Sequence, residues 1–373
     1  MEWKIEKEDI LRGLARTQSI VEKKNTIQIL SNVLLKLTGN SLTIEATDLE
    51  VGVSATYECE GIAPGGVTVD AKTLYEVVRQ IPEGSAIHFL KKENNWLEIS
   101  AGRSVFNLVG LAPEDFPEVP VPAGESQWNM NPELLKGMIE KTIFAVSQED
   151  MRYNLSGVFI EIIQDGKAKK IRMVATDGHR LSLVDSEFEG DIPIPASQGV
   201  IVPKKGLSEL SKILDENNQP VGMRLEGNNL IMTRDRLTLV MRLVDGRFPD
   251  YRQVIPAGND KEIGVSREDF IRTIRRVSIL SYERVKMVKF RINPSVMEIT
   301  SESPDMGTAR EEVTVQYKGP EMTIGFNSNY LLDILGAMDD QEVVIRLLDE
   351  SSPGEIRPAK EKGYFFIIMP MKI

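Results

Sequence analysis

Three stretches of this chain repeat one pattern, and that repetition limits the fold to three copies of one unit. Each copy opens with an amphipathic helical pattern carrying basic residues on its polar face, at residues 6–21, 131–146 and 266–280. A strand-rich stretch follows. A second short helix is then entered in nearly the same way each time, through Val69-Asp70-Ala71-Lys72-Thr73-Leu74, Val202-Pro203-Lys204-Lys205-Gly206-Leu207 and Phe326-Asn327-Ser328-Asn329-Tyr330-Leu331. Solenoid repeats run to roughly 20–50 residues, whereas a period of roughly 130 residues is the size of a whole domain.

Two proline-rich seams separate the copies: residues 112–122, containing Phe116-Pro117-Glu118, and residues 246–256, containing Phe248-Pro249-Asp250. Proline fixes φ and lacks a backbone donor, so such runs suit extended connectors. The seams place domains at residues 1–124, 125–255 and 256–373. Gly39-Asn40, Asp165-Gly166 and Asn293-Pro294 each separate two strand-like runs, a hairpin signal. Later hairpins are expected within residues 96–110, 230–243 and 354–369. The expected fold class is α+β: three repeated sheet-plus-two-helix domains, each with its helices on one side.

Hydrophobic residues make up 41% of the 373-residue chain, enough for real cores, and no run approaches the ~18 apolar residues of a membrane span. The start, Met1-Glu2-Trp3-Lys4-Ile5-Glu6, lacks the basic region and apolar run of a secretory signal. Cys59 is the only cysteine, which excludes a disulfide framework or a cysteine-rich zinc site. A cytoplasmic location is expected. The net charge of −11 taken alone argues against nucleic-acid binding, which depends on neutralising phosphates. The charges are segregated, however. Acidic residues such as Glu58, Glu114, Asp115, Asp339 and Asp340 fall in turns and strand ends, while Lys and Arg gather on the helices.

In the first helix Ile10, Leu11, Leu14, Ala15 and Val21 form an apolar stripe, and Arg12, Arg16, Ser19 and Lys23 recur on another face. In the third copy Phe270, Ile271, Ile274 and Val277 pack while Arg272, Arg275 and Arg276 point away. The middle copy is weaker, with Lys136 and Lys141 beside Glu140. The second helices add Lys72 and Arg79, then Lys204, Lys205 and Lys212. One charged helix face is ordinarily just solvated; its recurrence on most of six equivalent helices favours a common anionic ligand. Lysines at a helix start oppose the macrodipole, so Lys204 and Lys205 serve phosphate binding better than stability.

Asp177-Gly178-His179-Arg180 raises a catalytic or metal reading. No second ligand cluster, glycine-rich phosphate loop or nucleophile motif accompanies His179, and His88, between Ile87 and Phe89, reads as structural. A metal-dependent phosphoesterase would need more ligands than the sequence offers. Apolar residues crowd the C-terminus instead, at Ile367-Ile368-Met369-Pro370-Met371. Methionines adapt to varied partners, and a few apolar anchors can carry most of a peptide's binding energy.

The runs Val174-Ala175-Thr176-Asp177-Gly178-His179-Arg180-Leu181, Leu243-Val244-Asp245-Gly246-Arg247-Phe248-Pro249-Asp250-Tyr251 and Met369-Pro370-Met371-Lys372-Ile373 resemble signatures of the bacterial DNA polymerase III beta subunits, the sliding-clamp family. Ala46-Thr47-Asp48-Leu49-Glu50, Ala101-Gly102-Arg103-Ser104, Ile201-Val202-Pro203 and Gly325-Phe326-Asn327 match as well, in family order from end to end. The resemblance implies a head-to-tail homodimer, a ring of six domains whose helices line a hole for duplex DNA. It implies a DNA polymerase processivity factor with no catalytic residues, cofactor or metal, gripping duplex DNA without reading its sequence. Its other partners would be the replicative polymerase, the clamp loader and repair proteins, held by short peptides in a hydrophobic pocket between the second and third domains. A non-ring interaction scaffold of the same domains is the alternative.

The DNA contacts expected are Arg12, Arg16, Arg79, Arg272, Arg275 and Arg276 from the helix faces, with Lys23, Lys24, Arg152, Tyr153, Lys204 and Lys205 where loops and a helix start resemble the family's; the other sites are carried over position by position. The pocket comprises Leu155, Thr176, Gly178, His179, Arg180, Leu181, Pro249, Val254, Asn327, Tyr330, Ile367, Ile368, Met369, Pro370 and Met371. Ring closure involves Arg103, Phe106, Leu108, Ile279 and Leu280. Val285 stands where some relatives carry a large aromatic. Strand alternation implies that one of Ile367 and Ile368 faces inward.

Overall fold

The helical periodicity yields six α-helices among the described residues: α1 (Lys7–Thr17), α2 (Ala71–Gln80), α3 (Pro132–Thr142), α4 (Lys204–Leu214), α5 (Arg267–Val277) and α6 (Ser328–Gly336). The computed structural model describes every residue except 22–26, 150, 167, 189, 191, 195–198, 283, 284 and 361. Side-chain oxygens start three of the helices. Asp70 accepts from the Thr73 amide at 2.7 Å for α2, Ser266 caps α5, and Asn327 accepts from the Asn329 and Tyr330 amides for α6. The opening helices are shorter than their expected spans. α3 and α5 give way to 3-10 turns at Ile143–Ala145 and Ser278–Leu280.

The apolar stripe of α1 is anchored by Ile10 and Leu14, both fully buried, each contributing about 1.5–3 kcal/mol. Ala15 is exposed, contrary to its expected place in that stripe. Gly13 takes up the inner face instead. A Cβ there would stand 2.5 Å from Ile44 and 2.8 Å from Tyr57, so only glycine lets α1 lie this close to the sheet. Lys7, expected on no face, is buried, and its amine donates to the carbonyls of Arg79 at 3.1 Å and of Ile81. Those carbonyls close the C-terminal end of α2, where a cation is favoured.

All six expected hairpins form. Thr38 pairs with Ser41, Asp165 with Ala168 and Asn293 with Val296 across the turns read from the sequence. The later three join Leu97–Ala101 to Ser104–Leu108, Asn229–Arg234 to Leu237–Arg242, and Gly354–Pro358 to Tyr364–Ile368. The strand leading into the Gly39-Asn40 turn begins at Asn32, after a 3-10 turn at residues 28–31.

The strands assemble into sheets of five, nine, eight and four strands, all paired antiparallel. The two large sheets each draw on two repeats. Val51–Glu58 of the first repeat pairs with Leu237–Arg242 of the second. Arg180–Glu187 of the second pairs with Tyr364–Ile368 of the third. Internal contacts accordingly divide the chain into two compact units, one of Met1–Glu133, Asp191–Pro193 and Lys205–Leu243, the other of Leu134–Gly190, Ile194–Lys204 and Val244–Ile373. The middle repeat gives strands to both.

Candidate functional site

In the second unit, the pairing of Arg180–Glu187 with Tyr364–Ile368 sets Leu181 opposite Ile367. Leu181 and Ile367 join Leu155, Phe159, Phe248 and Tyr251 in one buried cluster, on which Val254 and Ile255 pack half-buried. The Phe159 and Phe248 rings stack within it at 4.9 Å. Both Ile367 and Ile368 are fully buried, and of the two only Ile367 belongs to this cluster.

The turn beside this floor is held by its own side chains. Asp177 accepts from the His179 and Arg180 amides at 2.9 and 3.0 Å, and Thr176 accepts from the Gly178 amide and donates to the Arg180 carbonyl. Gly178 has φ +87°, and a Cβ there would stand 2.5 Å from Arg152. The chain end is strapped across: the Met369 amide donates to the His179 carbonyl and the Met371 amide to that of Gly325, both at 2.8 Å. Pro370, between them, has no donor to waste. His179 is exposed, its ring lying near-parallel to that of Tyr330 at 6.1 Å.

Arg180 plays a different part from the other pocket candidates. It is buried, bonded to Asp333 at 2.6 Å, Asp177 at 3.1 Å and the Phe144 carbonyl at 2.8 Å, with the Tyr330 ring 4.5 Å away. Each of its three guanidinium nitrogens donates within the chain, which holds the group against the Tyr330 ring. Pro249 is exposed, and Asn327, Tyr330, Met369, Pro370 and Met371 are half-buried. Phe159, Phe248, Tyr251 and Ile255 were missed as site residues. Phe248 and Tyr251 stand in the second proline seam, of which only Pro249 and Val254 were named for the pocket. Val285 is exposed and lines a neighbouring cleft of about 790 Å³ with Tyr282, Met287 and Ile373.

The basic candidates are more varied than a free cationic stripe. Arg12 is paired with Asp9, Arg79 with Glu76, Arg272 with Glu268 and Arg276 with Glu311. All four remain half or more exposed, and exposed pairs of this kind are weak. Arg275 is exposed and enters no ion pair among the described residues. Arg16 is mostly covered, bonded to Glu216 at 2.9 Å and the Tyr57 hydroxyl at 2.9 Å. Arg152 turns to the groove, donating to the Asp177 carbonyl at 2.6 Å, while Tyr153 is exposed. Burial, then the neighbouring Arg180 charge, lowers the pKa of Lys204. Lys23 and Lys24 lie outside the described residues.

Lys205 has a structural tie that the sequence does not disclose. Its amine donates to the Ile20 carbonyl at 2.9 Å and pairs with Asp48, whose side chain is 4% exposed. Asp48 keeps two further bonds, from the Glu50 and Val51 amides at 2.9 and 2.7 Å. Lys205→Ala is therefore expected to cost about 1–3 kcal/mol of stability, read as a lower thermal midpoint. An unchanged midpoint would mean the tie contributes nothing.

The exposed edges complete the picture. Ser104–Leu108 is the last strand of the five-stranded sheet, with Val105 and Phe106 exposed, and Arg103 is exposed in the turn before it. Gly307–Thr314 is an edge of the four-stranded sheet, and the turn carrying the exposed Ile279 and half-buried Leu280 packs beside it.

Comparison with known proteins covers the chain almost completely. Residues 1–120 match the N-terminal domain of the DNA polymerase III beta subunit, residues 129–250 its central domain and residues 252–372 its C-terminal domain. The chain is 35% identical over 375 residues to the beta sliding clamp of Caulobacter vibrioides (strain NA1000 / CB15N), and 32% identical over 374 residues to that of Escherichia coli (strain K12), spanning 100% of both partners in each case. Among solved structures, a sliding clamp from Bartonella birtlesii bound to griselimycin superposes with a TM-score of 0.95 at 35% identity, covering 100% of each chain. The sliding clamp of Pseudomonas aeruginosa gives 0.90 at 34%, again covering 100% of each.

Proposed function

The chain belongs to the bacterial DNA polymerase III beta subunit family, the sliding clamps, and from that premise we propose how its surfaces close a ring, grip DNA and hold partners. Members of this family are non-catalytic processivity factors of DNA replication. A ring linked topologically to DNA keeps a tethered polymerase at high local concentration near the primer end. The three domains of this reading are residues 1–124, 125–255 and 256–373, and it acts in the bacterial cytoplasm.

One observation carries the homodimeric ring. The second strands of the three late hairpins, Ser104–Leu108, Leu237–Arg242 and Tyr364–Ile368, have Phe106, Leu239 and Phe366 third and Leu108, Met241 and Ile368 fifth. Leu239, Met241, Phe366 and Ile368 are all fully buried because each strand pairs across a seam between repeats. Phe106 is 36% exposed, on a strand whose outer edge is unpaired. The edge Gly307–Thr314 stands in the third repeat where Val51–Glu58 and Arg180–Glu187 stand in the other two, and it too has a free side. Pairing the first strand of one subunit with the second edge of its partner buries Phe106 and, done twice head to tail, leaves no free edge at the junctions. Arg103 then meets an edge carrying Glu311 and Glu312.

Duplex DNA is taken through the ring by the basic helix faces, without base readout. The peptide groove receives the polymerase, clamp loader and repair proteins. Arg12, exposed midway along α1, and Arg275, exposed in the last turn of α5, are expected to contact phosphates. Replacing both with Ala should flatten log affinity against log salt by roughly 0.9 per lost contact, equally for any duplex sequence. Sequence-dependent loss would contradict a backbone grip. The decisive experiment loads the protein on closed circular DNA with its clamp loader and then cuts the circle. Retention before the cut and release after it are expected; loss from the closed circle would favour a non-ring scaffold.

A further inference from the structure

The groove floor in the second unit lies against a ladder of charges that the repeat in the first unit lacks. Glu161 stands opposite Arg172 on adjacent strands, and Arg172 opposite Asp185. Arg172 grips Asp185 with two bonds, of 2.6 and 2.7 Å. Tyr251 lies across the ladder: its hydroxyl donates to Glu161 and accepts from Arg172 at 3.1 Å. Arg252 closes the arrangement, 2.7 and 2.9 Å from the two oxygens of Glu161. Glu161 and Tyr251 are buried. Burial pushes the Tyr251 hydroxyl up to about 12, so it keeps its proton and donates throughout the neutral range.

Tyr251 and Arg252 begin the 3-10 turn Tyr251–Val254, which brings Val254 onto the groove cluster and is separated from Pro249 by Asp250 alone. A fully satisfied buried polar network specifies one arrangement of the chain it holds. The first repeat shows the contrast. Aligning Ala46-Thr47-Asp48 with Ala175-Thr176-Asp177 puts Thr43 at the Arg172 position and Thr56 at that of Asp185. The side chains of those two threonines bond to each other across the strands, at 3.0 Å. Val119 stands three residues after Phe116, as Tyr251 does after Phe248, and it packs on Ile231 and Val240 with no polar anchor.

We propose that Tyr251 and Arg252, seated on the Glu161–Arg172–Asp185 ladder, are positioning residues that fix the Pro249–Val254 wall of the partner-peptide groove. The proposal rests on the groove assignment made above. It accounts for why one of two equivalent seams holds a peptide: only there is the connector locked in register with the floor.

The test uses a fluorescein-labelled peptide from the clamp-binding segment of the replicative polymerase, titrated against the full dimer at 10 °C, far below unfolding. Tyr251→Phe keeps the ring and removes both hydroxyl bonds. A 5- to 20-fold loss of peptide affinity is expected with the dimer mass unchanged. Val254→Ala should also weaken binding, and Tyr251→Phe added to it should lose little more, since both act on one wall. A purely structural tyrosine would lower the thermal midpoint and leave affinity at 10 °C intact, which would overturn the proposal; so would full additivity of the two changes. Failure of Val254→Ala to matter would instead overturn the groove assignment itself.

Discussion

A chain carrying Phe106→Ala and Leu108→Ala will behave as a monomer at nanomolar concentration and fall off closed circular DNA. Both side chains lie on an edge strand, Phe106 36% exposed and Leu108 half-buried in the single chain, so their loss should cost the subunit's own fold about 1–3 kcal/mol. The ring is another matter. Apolar side chains at the centre of an interface commonly contribute about 2 kcal/mol or more each, and a head-to-tail dimer repeats the junction twice. Four truncations then weaken closure by about 8 kcal/mol, or between five and six powers of ten in dissociation constant. Native mass against concentration reads this directly, with circular dichroism as the control for folding. A double variant that stays dimeric at nanomolar concentration would displace the junction from this strand. Peptide capture should persist in the monomer, because every residue of the groove cluster belongs to the second unit.

The elements legible in the sequence are those specified by neighbours in the chain. All six helices and all six hairpins fall where periodicity and turn residues put them, because a helix face and a two-residue turn are local features. The sheets were not legible as sheets. Whether Val51–Glu58 ends a sheet or continues into Leu237–Arg242 is decided by residues far apart in sequence, and either strand alone reads the same. The site divides similarly. The apolar C-terminal run and the turn at Asp177-Gly178-His179 announce themselves. The work of Arg180 and Lys205 does not: Arg180 reads as a pocket residue and Lys205 as a phosphate-binding cation, yet Arg180 is bonded to Asp177 and Asp333, and Lys205 to Asp48. Asp333 and Asp48 lie over a hundred residues away from their partners, and nothing in a charge pattern names such a partner. Tyr251 was hidden for the same reason, since its anchors, Glu161 and Arg172, sit on two strands far earlier in the chain.

That division decides how the groove should be tested. Leu181 and Met371 are the natural pair from the sequence, but Leu181 is 3% exposed within the cluster that includes Phe159 and Phe248. Truncating it would open a cavity costing about 2–5 kcal/mol and confound binding with folding. Val254 and Met371 are half-buried and line the surface instead. The Met371 amide is what straps the chain end to Gly325, and a side-chain change leaves that bond in place. Val254→Ala with Met371→Ala is therefore expected to reduce capture of a polymerase-derived peptide by roughly 30- to 1000-fold, or about 2–4 kcal/mol. The dimer mass, the thermal midpoint to within a few degrees, and the salt dependence of DNA binding should all stay as they were. His179→Ala alone should have a smaller effect, since its ring is exposed against Tyr330 and contributes one face rather than an anchor. If the Val254–Met371 variant bound the peptide as tightly as the original chain, in an intact dimer, the partner site would have to lie on another surface; loss of binding together with loss of the dimer would mean that ring closure and partner capture share residues.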